Sequence, residues 1–153
     1  MPDLYRGKVS LEVAEARHHF GELDWPGAVA DIAGAAAFLK AEGSAKVGIT
    51  GFCMGGALSL AGCCLVPDIA CGAPFYGIPS PALCDVSKVA KPVQGHFGDL
   101  DQHKGFADVE AVAALEEKLR AAGVEYEIYR YPKAGHGFMK TRPEMVAKAE
   151  ELG

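Results

Sequence analysis

The hydrophobic positions fall into short blocks whose period changes along the chain. Residues 1–23 are mixed and weakly patterned, with a charge- and histidine-rich excursion from Lys8 to Phe20 that fits either helix or loop. From Asp24 the pattern sharpens. Asp24 can cap a helix whose first turn tolerates Pro26, because proline lacks an amide hydrogen that would be unpaired there anyway. Val29, Ile32, Ala36 and Leu39 then recur at three- and four-residue steps and predict one apolar helix face ending near Lys40 and Gly43. Lys46 to Phe52 reads as a short buried strand that runs into Cys53-Met54-Gly55-Gly56. Ala57 to Val66 follows as a helix with almost no polar face, so it should be buried well beyond one stripe. Ile69 to Phe75, Pro92 to Phe97 and Glu125 to Tyr131 predict three further strands. Gln102 to Ala122 holds the clearest surface helix, with Val109, Val112, Leu115 and Leu119 inward, Glu110, Glu116, Glu117, Lys118 and Arg120 outward, and Gly123 as the stop. Arg142 to Leu152 reads as a last helix.

Alternating strands and helices predict an α/β fold with a mostly parallel sheet covered on both faces. Such sheets gather ligands beyond the carboxyl ends of their strands. There is no internal repeat and no linker long enough to divide domains, so residues 1–153 read as a single domain.

Composition narrows the partners. Of the 153 residues 50% are hydrophobic and 23% charged, a globular balance. Fifteen basic against 20 acidic side chains leave a net charge of -5, which argues against a general nucleic-acid or anionic-membrane binder. No apolar run approaches the roughly 18 residues of a spanning helix, and Met1 to Arg6 does not resemble a secretory leader. The five cysteines, at 53, 63, 64, 71 and 84, are odd in number and contain no CxxC pair. A reducing compartment, the cytoplasm, is expected. Cys63, Cys64 and Cys71 read as core packing and Cys84 as part of an exposed loop.

Cys53 is different. Gly51-Phe52-Cys53-Met54-Gly55-Gly56 joins a strand to a helix as a G-x-nucleophile-x-G elbow, with cysteine where serine is common. A nucleophile in strained backbone needs glycine two residues before and two after it, so that strand and helix can pass closely. The helix that follows aims its amino terminus at the sulfur, which favours thiolate, and the Met54 amide is the natural first oxyanion donor. A nucleotide-binding loop is the weaker rival, because the glycines match neither GxGxxG nor a Walker A motif.

A cysteine nucleophile needs a base, and the base needs a group to orient it. Gly98-Asp99-Leu100-Asp101 follows the third strand and Gly135-His136-Gly137 the fourth, so an acid and a histidine come in the chain order an elbow enzyme requires. Spacing does not choose between Asp99 and Asp101; one can orient His136 while the other caps the next helix. His18 and His19 read as solvated, His96 as lying in the sheet or near the acid loop, and His103 as sitting on the helix after that loop. The histidine spacing matches no regular zinc pattern, so no metal is expected.

These segments resemble the dienelactone hydrolase (carboxymethylenebutenolidase) family of the α/β-hydrolase superfamily. Pro2-Asp3-Leu4-Tyr5, the elbow through Ala57, Phe75-Tyr76-Gly77, Gly98 to Asp101 and Gly135-His136-Gly137-Phe138 carry the likeness. It implies a three-layer α/β-hydrolase-like sandwich, shortened at the amino terminus and at the carboxyl terminus, without the early strands and the loop that would supply a second oxyanion donor. The register of the acid turn favours Asp101. The implied activity is hydrolysis of a small lactone or carboxylic ester through an acyl-cysteine, with Cys53, Asp101 and His136 catalytic and no cofactor. Lys140 and Arg6 stand near where family arginines hold a substrate carboxylate, so an anionic substrate is expected; Phe52 and Tyr76 are expected beside it. A chain lacking its early strands would be a monomer or would self-associate through the exposed sheet edge. The alternative is a catalytically impaired, hydrolase-like protein that binds a small molecule or partner.

Overall fold

The computed structural model describes residues 1–140, so the helix expected over 142–152 lies outside the described residues. The charged excursion near the start contains a short helix, α1 (Val13–Gly21). Asp24 caps α2 (Trp25–Ala41): its carboxylate accepts from the Gly27 amide at 3.0 Å, with Pro26 in the first turn. Four strands follow, β1 (Val47–Phe52), β2 (Ile69–Phe75), β3 (Val93–Gly98) and β4 (Tyr126–Tyr131). They form one parallel sheet in the order β1-β2-β3-β4. Parallel neighbours need a crossover, and α3 (Met54–Leu65), a single 3-10 turn (Val86–Lys88) and α4 (Val109–Ala122) lie in the three connections. The register aligns Phe52 with Phe75, Phe75 with His96, and His96 with Tyr129, so the carboxyl ends of all four strands reach one edge.

One face of the sheet makes the core. Ile49, Gly72, Val93, Phe97 and Ile128 share it, and Leu58, Leu60 and Cys63 of α3 and Val112, Leu115 and Leu119 of α4 join them in a single buried cluster. Each fully buried leucine contributes about 1.5–3 kcal/mol by leaving water. Helix α3 is buried continuously from Gly56 to Cys63, as its missing polar face predicts, because α2 packs over its outer side and Ile32 meets Gly62. Ser59, fully buried, donates its hydroxyl to the Gly55 carbonyl at 2.7 Å and so leaves no unmet group in that apolar helix. The opposite face carries Thr50, Phe52, Cys71, Gln94 and Tyr129, all exposed among the described residues. No helix among the described residues is long and apolar enough to cross a membrane.

Several expectations need correction. The stripe of α2 that reaches the core is Ala28, Ile32 and Ala36, at strict four-residue spacing; Leu39, beyond it, is 43% exposed. Helix α4 starts at Val109 rather than soon after Gln102. The Phe106, Ala107 and Asp108 amides all bond the His103 carbonyl and make a closed turn before the helix. Val109, first in the helix, is 41% exposed for that reason. Two cysteines exchange places as well. Cys71 sits on the open side of β2 and is exposed, whereas Cys84 is buried beneath its proline-bounded loop.

Candidate active site

Three connections meet at the carboxyl edge of the sheet. Cys53 sits between β1 and α3 with φ 55° and ψ -116°, a strained conformation for a residue with a side chain. Its amide bonds the Phe75 carbonyl at 3.0 Å, which ties the elbow to β2. The crowding that demands glycine is real at Gly51, where a Cβ would strike the Gly55 carbonyl. The second crowded position is Gly56, against the Phe75 carbonyl, and not Gly55, whose missing side chain faces open space. The close approach therefore falls one residue later than the motif suggests.

The expected base is within reach. His136 Nε2 lies 3.1 Å from Cys53 Sγ, and His136 Nδ1 lies 2.6 Å from Asp101 Oδ2. A carboxylate can only accept, so Nδ1 carries the ring proton and Nε2 is left to accept from the thiol. Asp101 is buried, while Asp99 is engaged elsewhere: its carboxylate pairs with Arg130 of β4 at 2.6 Å. That ion pair resolves the choice that spacing left open as to which carboxylate meets His136.

Electrostatics set the resting protonation. Burial pushes the Cys53 thiol above its ordinary range, aided by the Asp101 charge, while the Met54 backbone amide and the Lys140 ammonium pull it back. Burial also holds His136 below the ordinary histidine range; the bond and charge of Asp101 oppose this, and His103 and Lys140 reinforce it. A thiol held up beside an imidazole held down is a neutral pair. Burial thus acts on the sulfur against the helix terminus, which is expected to favour thiolate.

Of the other expected site residues, Tyr76 is buried with φ 36°, and its ring stands edge-on to His136 at 5.1 Å. Burial and the Cys53 charge raise its hydroxyl, which the Met139 backbone partly relieves. Phe52 is half-exposed, 5.0 Å from the Phe75 ring and 6.3 Å from that of Tyr76. Lys140 lies in the histidine loop, its amide bonded to the Gly137 carbonyl at 2.9 Å, and its charge reaches both Cys53 and His136. Arg6 is not brought to this group; it pairs with Asp31 of α2 at 3.0 Å. His96 stacks between Phe75 and Tyr129 and bonds the Tyr131 hydroxyl at 2.8 Å.

Two neighbours of the site were not singled out by sequence. Tyr5 donates its hydroxyl to Met54 Sδ at 3.3 Å, and burial and the Cys53 charge raise it. Its place in Pro2-Asp3-Leu4-Tyr5 was the available signal. His103, expected on a helix, lies instead in the acid loop with Nδ1 2.9 Å from Asp101 Oδ1. Asp101, His103 and His136 bring three donor atoms within 4.8 Å of one another, but these atoms are already joined as a carboxylate between two imidazoles.

The chain is 31% identical over 103 residues to the carboxymethylenebutenolidase homolog of Xenopus tropicalis, covering 65% of this chain and 39% of that protein. It is 32% identical over 102 residues to Protein usf of Aquifex pyrophilus, covering 66% and 43% respectively. It thus spans about two fifths of the length of these curated relatives. Among solved structures, a provisionally named dienelactone hydrolase from Klebsiella pneumoniae superposes over 99% of this chain and 70% of its own, with TM-score 0.74 and 22% identity. SOBER1 of Arabidopsis thaliana superposes over 82% and 61%, with TM-score 0.63 and 26% identity. The superposition gives the fold as the α/β three-layer sandwich with a mostly parallel sheet. The described residues supply the sheet and the helices of one face, so the cover expected on both faces is present among them on one only. The model of the dienelactone hydrolase family matches residues 1–153, and the chain belongs to that family.

Proposed function

We propose that this chain carries the catalytic centre of a hydrolase that opens small lactones or cleaves small carboxylic esters through an acyl-cysteine. The observation that supports the reading best is the unbroken line from Cys53 Sγ through both ring nitrogens of His136 to Asp101. His136 Nε2 takes the thiol proton as sulfur attacks the carbonyl carbon. The oxygen of the tetrahedral adduct gains negative charge, and the Met54 amide is the donor nearest to it. When the carbon–oxygen bond breaks, His136 returns the proton to the leaving oxygen, which in a lactone stays tethered to the acyl chain. Water, losing a proton to His136, then cleaves the thioester, and the carboxylic product leaves as the thiol is restored. Asp101 holds the imidazolium formed at each proton transfer.

The Lys140 charge near the sulfur favours an anionic substrate, as a point charge without the paired geometry of an arginine. The five cysteines are free, in keeping with a reducing, cytoplasmic setting. The outer edge of β1 has no strand partner among the described residues, and a second copy pairing there is the form of self-association we favour. The test is turnover of a small activated ester by the full chain. Cys53→Ala should lower it by roughly a thousandfold or more; turnover equal to the parent would rule the mechanism out.

A further inference from the structure

Asp101 serves two imidazoles, and only one of them lies on the proton path. Oδ2 meets His136, while Oδ1 accepts from the His103 amide at 3.0 Å and from His103 Nδ1 at 2.9 Å. The carboxylate side chain has no solvent exposure, so these protein bonds orient it in place of water. The two rings also lie against each other, with centroids 4.0 Å apart and planes tilted by 36°. Their surroundings differ: the His103 side chain is 59% exposed and that of His136 is 16% exposed. His136 is thus held on one side by Cys53, on another by Asp101, and across its ring face by His103.

We propose that His103 is a positioning residue for the base, anchoring Oδ1 of Asp101 so that Oδ2 faces His136, and bracing the His136 ring by packing against it. The inference rests on the hydrolase reading above and deepens it. Without the ring bond, Asp101 Oδ1 keeps only the backbone amide and the His136 ring loses one wall. Outer partners that orient a metal-bound histidine matter by about 10–100-fold, and an effect near the low end of that range is expected for one that acts through Asp101 on His136.

His103 also bears on the charge of the base. The ionisable groups facing His136 are Cys53 from the elbow, Asp101 and His103 from the acid loop, Tyr76 after β2, and Lys140 of its own loop. Burial is the main cause that lowers His136, and His103 adds to the lowering. Removing the second imidazole therefore lets His136 take a proton at higher pH. The base is then lost sooner as pH falls, and the acid limb of the rate profile moves up.

Two variants separate these contributions. His103→Asn keeps an amide donor near the position of Nδ1 but has no ring and no charge; His103→Leu has neither donor nor charge. His103→Leu should lower kcat about tenfold with KM nearly unchanged. His103→Asn should recover most of that kcat, and both should shift the acid limb of kcat/KM to higher pH. Any other pattern overturns the proposal, including parent-like kinetics in His103→Leu or an unmoved limb in both variants. If His103→Leu does not fold, by circular dichroism, His103→Asn alone decides: near-parent kcat with a shifted limb supports the proposal, and an unshifted limb refutes it. Cys53→Ala assayed on the same ester keeps the two readings apart. Parent-like turnover there removes the hydrolase reading itself, whereas an inactive Cys53→Ala beside a parent-like His103→Leu removes only the role of His103.

Discussion

The two ends of α3 hold the same functional group in opposite circumstances. Cys63, near the carboxyl end, packs against Gly72 in the core, and burial together with Cys71 pushes its thiol up to about 12. Cys53, at the amino end, is also raised by burial, but the Met54 amide and Lys140 oppose the rise and His136 stands 3.1 Å away. Both thiols are neutral at rest; only one has an acceptor for its proton. Burial raises both thiols and so does not by itself distinguish the two cysteines. What separates them is the topology, which brings His136 from the loop after β4 to the turn after β1.

After loss of the Cys53 thiol itself, the largest effect should come from breaking the line behind His136. Asp101→Asn leaves the shape of the site intact, but an amide can donate to the ring and favour the wrong tautomer. Turnover should fall on the order of 10^3–10^4-fold, while the melting temperature changes far less than turnover; steady-state kinetics with calorimetry would show it. The smallest effect belongs to the other thiol. Cys63→Ala removes one buried sulfur, so it should cost about 1–2 kcal/mol of stability in denaturant titrations. Turnover should stay within a few-fold of the parent. A Cys63→Ala variant that lost activity while keeping its stability would erase the contrast between the two ends of the helix.

Much of this was legible before any coordinates. The elbow glycines, the order of cysteine, acid and histidine, and the Asp24 cap are local or ordered signals, and each could be read along the chain. What escaped depends on how elements meet. β2 carries Ala70, Cys71, Gly72 and Ala73 in succession, and small residues on both faces give no sign of which side is buried. Its burial was set by α3, and Cys71 fell on the open side. Asp99 and Asp101 differ only in what faces them across the sheet edge: Arg130 for one, His136 for the other. His103 looked helical because charged and apolar residues alternate from Gln102 onward, yet its carbonyl gathers the three amides that close a turn. Gly56 rather than Gly55 carries the close approach, since that contact is with the next strand and not with the helix's own turn.

The most direct test of the central claim is intact mass of the full chain after brief incubation with a slowly released activated ester, beside Cys53→Ala treated alike. The account predicts a single acyl adduct on the parent that decays as acid product appears, and no adduct on the variant. Equal acylation of the two proteins, or product formed by the parent with no dependence on Cys53, would contradict it.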